Sequence, residues 1–155
     1  MKVSTAIARI KASTHDISDE YSNEKCLEFL NTALQQTSSL LISGRYPALV
    51  KEVMVREGDT LPKNYMQAAG QYPLRMTNNQ VTLLDDGEAV RFRYWATPDA
   101  LTDADADLPY PHDAINEVIV KAAIILALNE NEYDVSADSS ILTALQDAIS
   151  AAMSV

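Results

Sequence analysis

Apolar residues recur at helical spacing through the first third of the chain, with recognisable end signals around them. Residues 3–12 carry three β-branched apolar residues one turn apart, which predicts a short helix. A longer amphipathic helix follows, with Ser22 or Asn23 as its N-cap and Gly44 as its end. Its apolar stripe comprises Cys26, Leu27, Leu30, Ala33, Leu34, Leu40 and Leu41. Its polar face is expected to include Glu28, Asn31, Gln35 and Ser38.

The spacing of apolar residues shortens to about two in the middle of the chain, which is typical of β-strands. Asn78-Asn79 and Asp86-Gly87 separate the apolar segments, and these residue types favour turns because they adopt positive φ at low cost. We therefore expect a small antiparallel sheet, with residues 56–65 as a loop. The predicted strands are residues 49–56, 72–76, 80–84 and 89–95.

The last predicted strand alternates between two kinds of side chain. One face carries Val90, Phe92 and Tyr94, and the other carries Arg91, Arg93 and Trp95. The rings of Tyr94 and Trp95, which are flanked by Arg91 and Arg93, could form a stacking platform for bases. Since the two rings point to opposite faces, packing in a core and at an interface is the favoured interpretation.

The last third of the chain is helical again. Asp113 is the predicted N-cap of a helix that continues to about residue 129, with Pro111 just before it. Apolar residues cover more than half of this helix's circumference, so we expect it to be buried on most sides. A final amphipathic helix is predicted from about residue 136 to 153. Its stripe comprises Ile141, Leu142, Leu145, Ala148, Ile149, Ala152 and Met153.

This order of elements predicts an α+β protein, mainly a bundle of about four helices with a small antiparallel β insertion in the middle. The 155 residues are expected to form one domain, since the N-terminal helices must pack on the C-terminal pair to close a core. Its parts are a helical core (about 1–48 and 112–155), a β-rich insertion (about 49–97) and an acidic loop (98–111).

The net negative charge of the protein lies in one part of the chain. Residues 1–98 carry 11 Lys/Arg and 11 Asp/Glu, so the net charge of −10 lies entirely in the last 57 residues. Such acidity argues against wrapping a phosphate backbone, which needs clustered Lys/Arg. It indicates instead a face presented to a particular neighbour. The candidate surface comprises Asp99, Asp103, Asp105, Asp107, Glu130, Glu132, Asp134 and Asp138.

Two His-Asp pairs, His15-Asp16 and His112-Asp113, match the dipeptide used by metal-dependent phosphohydrolases. Those enzymes add further His and Asp ligands, whereas this chain has only two histidines. A structural role at a helix start is therefore the favoured interpretation, with a phosphohydrolase as a remote alternative. We expect no enzyme activity, no catalytic residues, and no metal or cofactor site.

The segment Asp103–Asp107 resembles the first half of a calcium loop, with a carboxylate at every second position. The glycine required at the sixth position is Leu108, and the glutamate required at the twelfth is Ala114. An EF-hand is therefore excluded, which leaves weak adventitious cation binding or a solvated loop. The single cysteine, Cys26, excludes an internal disulfide and is expected to be a small core residue.

Neither a targeting segment nor a membrane span is predicted. The N-terminal residues 1–16 are interrupted by polar residues at every turn and contain no signal-peptide apolar core. The longest apolar run, residues 118–128, contains Lys121 and is too short to cross a bilayer.

The chain resembles the head-to-tail adaptor (connector) proteins of tailed bacteriophages over residues 22–150. The likeness lies in the order of four features. The first is an amphipathic helix that ends in an aromatic-containing turn (40–46), and the second is a loop with Leu61-Pro62 followed by Tyr65. The third is a loop in which Pro98 is followed by Leu101-Thr102-Asp103 and then by Leu108-Pro109. The fourth is an Ala-rich helix that begins at His112-Asp113-Ala114-Ile115.

The resemblance implies a homo-oligomeric ring, typically dodecameric, beneath the portal protein at the head–tail junction of the virion. Such a ring assembles in the host cytoplasm, continues the DNA channel without binding DNA specifically, and docks tail or neck proteins. The acidic surface would then line the channel or dock on a basic patch of a ring partner. The main alternative is an acidic cytosolic interaction or regulatory module that binds a basic partner as a monomer.

Overall fold

The computed structural model of the protein describes residues 1–14, 21–85, 87–129 and 138–153. Over these residues the chain forms four α-helices and five antiparallel strands, which confirms the α+β class. The helices are α1 (Val3–Thr14), α2 (Asn23–Ser43), α3 (Asp113–Leu128) and α4 (Ser139–Met153). The strands are β1 (Val50–Val55), β2 (Tyr65–Ala68), β3 (Leu74–Thr77), β4 (Gln80–Leu83) and β5 (Val90–Ala96).

The chain divides into two compact units. The helical unit comprises Met1–Gly44 and Pro98–Val155, and the β unit comprises Arg45–Thr97. In the part of the chain that is described, no helix is long and apolar enough to cross a membrane.

Helix α3 occupies the middle of the helical unit and contacts α1, α2 and α4. Nine of its 16 residues are buried, including Ile115, Ile119 and Leu126, while Lys121 is exposed. The prediction that this helix is buried on most sides is confirmed. Since α3 supplies apolar surface to all three neighbours, it is the element on which the helical core depends.

The ends of α2 follow from local signals in the sequence. The hydroxyl of Ser22 accepts a hydrogen bond from the Lys25 N–H at 3.0 Å, so Ser22 is the N-cap and Asn23, the other predicted candidate, is the first helical residue. The Gly44 N–H donates to the Leu40 carbonyl at 2.9 Å and closes the last turn, which confirms the predicted end.

The predicted cap of α3 was wrong by one residue. His112 occupies the N-cap position without a side-chain capping bond, and Asp113 is the first helical residue. The buried amide of Asn116 reaches back instead, donating to the Tyr110 carbonyl at 2.8 Å and accepting from the Tyr110 N–H at 3.4 Å. Asp113 still lies where a carboxylate is favourable to the helix dipole.

Helix α4 begins at Ser139, and residue 136, its predicted start, lies outside the described residues. The stripe prediction is confirmed for Ile141, Leu145 and Ala148, which are buried. It was wrong for Leu142, which is 41% exposed, because its position falls at the margin of the stripe.

Two residues assigned to the polar face of α2 have tertiary partners instead. Ser38 is fully buried, and its hydroxyl shares a hydrogen bond with the Tyr110 hydroxyl at 2.5 Å. Asn31 is half-buried and binds the backbone of Leu101. Phe29, which the predicted stripe omitted, is fully buried. The buried face of α2 is therefore wider than its aliphatic residues indicate.

The β unit contains two sheets where one was predicted. Strands β1, β5 and β2 form an antiparallel sheet in that order, and β3 pairs with β4 as a hairpin. Strand β2 was not predicted, because a register shift between Tyr65 and Gln67 breaks its alternation. The hairpin turn is confirmed, with φ of 54° at Asn78 and 63° at Asn79.

The core of the β unit is built around the inner face of β5. Phe92 is fully buried, and its ring meets Tyr72 edge-on at 5.0 Å and stacks on Tyr94 at 5.7 Å between centroids. Val55 and Val81 complete the buried cluster together with Ala96. The predicted alternation of β5 is confirmed, since Arg91, Arg93 and Trp95 lie on the opposite, more exposed face.

Candidate functional site

The acidic loop between β5 and α3 is turned sharply at its centre. The Asp103 Oδ1 accepts a hydrogen bond from the Asp105 N–H at 2.8 Å, and the Ala106 N–H donates to the Asp103 carbonyl at 3.2 Å. Aspartate favours this local bonding to the backbone two residues on. The turn leaves the side chains of Asp103, Asp105 and Asp107 exposed to solvent.

One side of the loop is bound to the start of α1. The N–H of Val3 donates to the Ala106 carbonyl and that of Ser4 to the Ala104 carbonyl, both at 2.9 Å. The Leu108 N–H donates to the Met1 carbonyl at 2.8 Å. Helix α1 has no acidic residue in its first turn. The loop carbonyls therefore satisfy helix donors that would otherwise need a side-chain cap.

The other side of the loop is bound to α2 through Asn31. Its Oδ1 accepts from the Leu101 N–H at 2.7 Å, and its Nδ2 donates to the Leu101 carbonyl at 3.0 Å. Leu101, Leu108 and Tyr110 are each at least 92% buried. The loop is thus anchored by backbone bonds and apolar side chains, and it displays its carboxylates from a fixed backbone.

Replacing Asn31 with alanine should lower the free energy of unfolding by about 1–3 kcal/mol, because it leaves the backbone donor and acceptor of Leu101 without partners. Chemical denaturation measures this loss, and hydrogen exchange at the Leu101 amide should become faster. Gln35→Ala, at an exposed position of the same helix, is the matched control. Equal unfolding free energies for both variants would contradict the proposed anchor.

Four of the eight predicted acidic residues are exposed in this one loop, namely Asp99, Asp103, Asp105 and Asp107. Asp138 has a local structural role, since its Oδ1 accepts from the N–H groups of Ser140 at 2.8 Å and Ile141 at 3.1 Å at the start of α4. Glu130, Glu132 and Asp134 lie outside the described residues.

The residues that the sequence singled out for metal binding or for reactivity are His15, His112 and Cys26. No group of three or more His, Cys, Asp or Glu side chains there could hold a metal ion. His112 lies at the start of α3, and His15 falls outside the described residues. Cys26 is fully buried, and this burial raises the pKa of its thiol, an effect that the Lys11 ammonium partly offsets.

Because burial both hides Cys26 and disfavours its thiolate, the native protein should react with a thiol reagent far more slowly than the denatured protein. Absorbance during labelling at pH 8, with and without denaturant, measures the two rates. Equal rates would contradict the assignment of Cys26 as an inert core residue.

The β unit carries a second charged surface, of which the sequence analysis identified only the β5 residues Arg91, Arg93 and Trp95. We define the outer sheet face as the residues that share one side of the β1–β5 pair. They are Val50, Glu52 and Met54 of β1, which lie opposite Trp95, Arg93 and Arg91 of β5. Met54 is 54% exposed, and the Arg91 Nε lies 2.9 Å from the Glu52 Oε1. The alternation of β5 was a usable signal, but the neighbouring residues of β1 became known only from the strand register.

A pocket of about 360 Å³ adjoins the outer sheet face at Trp95. Its lining also includes Arg45, Gln67 and Gly70, so it combines an aromatic wall with a cationic side chain. Arg45 is exposed and has a positive φ of 58°.

The two units differ strongly in charge. The helical unit carries five Lys/Arg against 16 Asp/Glu, a net charge of −11, while the β unit carries seven against six, a net charge of +1. The excess of acid therefore coincides with one structural unit. The arginines of the outer sheet face belong to the other.

Comparison of the sequence with models of known protein families and with curated proteins finds no match.

Proposed function

We propose that the protein is a structural component of a tailed-bacteriophage virion, a head-to-tail adaptor. In this proposal copies form a ring beneath the portal protein, continue its DNA channel and dock the tail or neck. Each copy contributes a helical bundle that carries the β unit as an insertion within a single adaptor domain. The observation that carries the proposal is the acidic loop, anchored on both sides and exposed at its carboxylates.

A fixed acidic loop suits a surface beside moving DNA. Carboxylates repel the phosphate backbone, so DNA can pass without the Lys/Arg contacts that would retain it. Anchoring by Val3, Ser4 and Asn31 keeps this charge at a defined place in each copy. The same loop could dock on a basic partner, and the two uses differ in their response to salt.

The division of charge between the units favours an assembling subunit over a monomeric acidic regulator. A closed ring needs two different faces that complement each other in neighbouring copies. The acidic loop and the arginines of the outer sheet face are two such surfaces. A regulator that binds one basic partner requires only the acidic one.

Antibody labelling of phage particles that carry this gene tests the proposal. Electron microscopy should show label at a single vertex, at the junction of head and tail, while an antibody against the major capsid protein labels the whole head. Particles purified to constant composition that lack the protein would contradict an adaptor role.

Charge reversal in the loop distinguishes the two uses of the acidic surface. Particles built with Asp103→Lys, Asp105→Lys and Asp107→Lys should retain or eject DNA abnormally if the loop lines the channel. If the loop docks on a basic partner, they should fail to assemble. Docking should also weaken as salt shortens the Debye length from about 10 Å at 0.1 M to about 3 Å at 1 M.

The matched control for that triple variant places lysine at three exposed carboxylates outside the loop, Glu24, Asp85 and Asp147. It changes the net charge equally and should leave assembly and ejection unchanged. Normal assembly, retention and ejection in the loop variant would mean that the loop is only a solvated surface.

A further inference from the structure

We infer that the outer sheet face of one copy binds the acidic loop of a second copy, so that the helical unit of each molecule meets the β unit of the next. The inference rests on the proposed function for its place in a ring, while the contact itself follows from charge, exposure and the pocket at Trp95.

The outer sheet face has the composition of a binding surface. Arginine, tryptophan and methionine are enriched at protein interfaces, and arginine and tryptophan recur among the residues that dominate binding energy. The Arg91 side chain is 76% exposed, and its ion pair with Glu52 is a surface pair of small energetic value. Arg93 is exposed and lies opposite Glu52 in the strand register. The Glu52 carboxylate pairs with Arg91 instead, and no ion pair of Arg93 is found among the residues that the structure describes.

The pocket beside Trp95 adds a specific feature to this surface. Its volume of about 360 Å³ accommodates more than one side chain, and Arg45 provides a cation at its lining. A carboxylate that enters it would gain a charge-assisted contact in a partly desolvated place, where such contacts are stronger than at an open surface.

The acidic loop is the complementary occupant. Asp103, Asp105 and Asp107 present three carboxylates within five residues, from a backbone that Asn31 and the start of α1 hold in place. Binding a pre-ordered loop costs less conformational entropy than binding a flexible one. Copies with a net charge of −10 repel each other overall, and a local pairing of opposite charges reduces this repulsion at the contact.

A contact between two different faces has a consequence for assembly. After two copies pair, one of them keeps a free loop and the other a free sheet face. The contact can therefore repeat from copy to copy, and it closes into a ring when the rotation allows.

Complementary charge reversal tests the contact. A sheet variant (Arg91→Glu, Arg93→Glu) and a loop variant (Asp105→Lys, Asp107→Lys) each pair like charges, so each alone should self-associate about tenfold more weakly or worse. A mixture of the two restores opposite charges at every contact and should recover association, as should one chain that carries all four changes. Asp103 is kept because it forms the turn.

Sedimentation velocity at low salt measures association of each variant, the mixture and the parent. A control pair, Arg75→Glu and Asp147→Lys, changes exposed charges outside both surfaces and should behave like the parent. Parent-like association of the sheet and loop variants, or no recovery on mixing them, would overturn the inference.

Disulfide trapping identifies the neighbouring surfaces directly. In a Cys26→Ala background, chains with Arg93→Cys and chains with Asp105→Cys should form mixed dimers faster than either forms dimers alone. The opposite result has two parts. The two single-cysteine chains would form no mixed dimers, and a chain that carries both cysteines would form its disulfide within one molecule. The loop would then meet its own sheet, which would contradict the inference.

These outcomes are separable from those of the particle-labelling test. If the antibody labels the vertex but mixing the sheet and loop variants does not restore association, the adaptor proposal stands and this contact is overturned. Charge rescue and mixed dimers without label would establish the contact in an assembly of another kind.

Discussion

Replacing Ile119 with alanine is expected to lower the free energy of unfolding of the helical unit by about 2–5 kcal/mol, and Leu145→Ala should act in the same range. Ile119 is fully buried on α3, and Leu145 is 3% exposed on α4. Each substitution removes buried methyl groups and leaves a cavity that the neighbouring helices fill only partly. The expected loss in the free energy of unfolding is a large share of the stability of about 5–15 kcal/mol that is typical of a domain.

Urea unfolding followed by circular dichroism at helical wavelengths measures these losses. Leu142→Ala provides the control, since Leu142 lies on α4 beside the buried stripe and is 41% exposed. The control should stay within about 0.5 kcal/mol of the parent. A similarly small change at both Ile119 and Leu145 would mean that α3 and α4 do not pack as described.

Replacing Phe92 with alanine is expected to destabilise the β unit by about 3–5 kcal/mol. Its ring is fully buried and lies within 6.1 Å of Tyr65, 5.0 Å of Tyr72 and 5.7 Å of Tyr94, centroid to centroid. The substitution therefore removes one large buried side chain and three aromatic contacts, which add to the loss of buried area.

Hydrogen exchange of the amides in β1 and β5 reports on the β unit separately from the helices. Phe92→Ala should accelerate exchange throughout this pair of strands. Met54→Ala, on the exposed face of the same pair, should leave it nearly unchanged. Comparable exchange in the two variants would place the β core elsewhere than around Phe92.

Local signals in the sequence predicted the ends of α2 and the turn of the β3–β4 hairpin correctly. Ser22 caps the helix through a residue three positions away, and Gly44 closes it through a residue four positions away. Asn78 and Asn79 adopt positive φ by themselves at low cost. All these signals act between residues at most four positions apart, so the local sequence is sufficient to predict them.

Strand β2 and the polar contacts of α2 were missed for the opposite reason. Residues 65–68 become a strand through pairing with β5, and the register shift hides their alternation. Ser38 is buried because Tyr110 meets it from 72 positions away, and Asn31 binds Leu101 from 70 positions away. The helical pattern assigned Ser38 and Asn31 to the polar face because their side chains are polar. The pattern carries no information about a partner that is distant in the sequence.

In the candidate site, too, some features follow from the local sequence and others from contacts between distant residues. The sequence alone determined that the net charge lies in residues 99–155 and that the aspartates of the loop alternate with small residues. Only the tertiary structure decided that the loop is anchored to α1 and α2, that Asp138 serves the start of α4, and that arginines share a face with Met54. Charge and capping depend on residue type and near neighbours, whereas anchoring and register depend on contacts that form when distant segments of the chain meet.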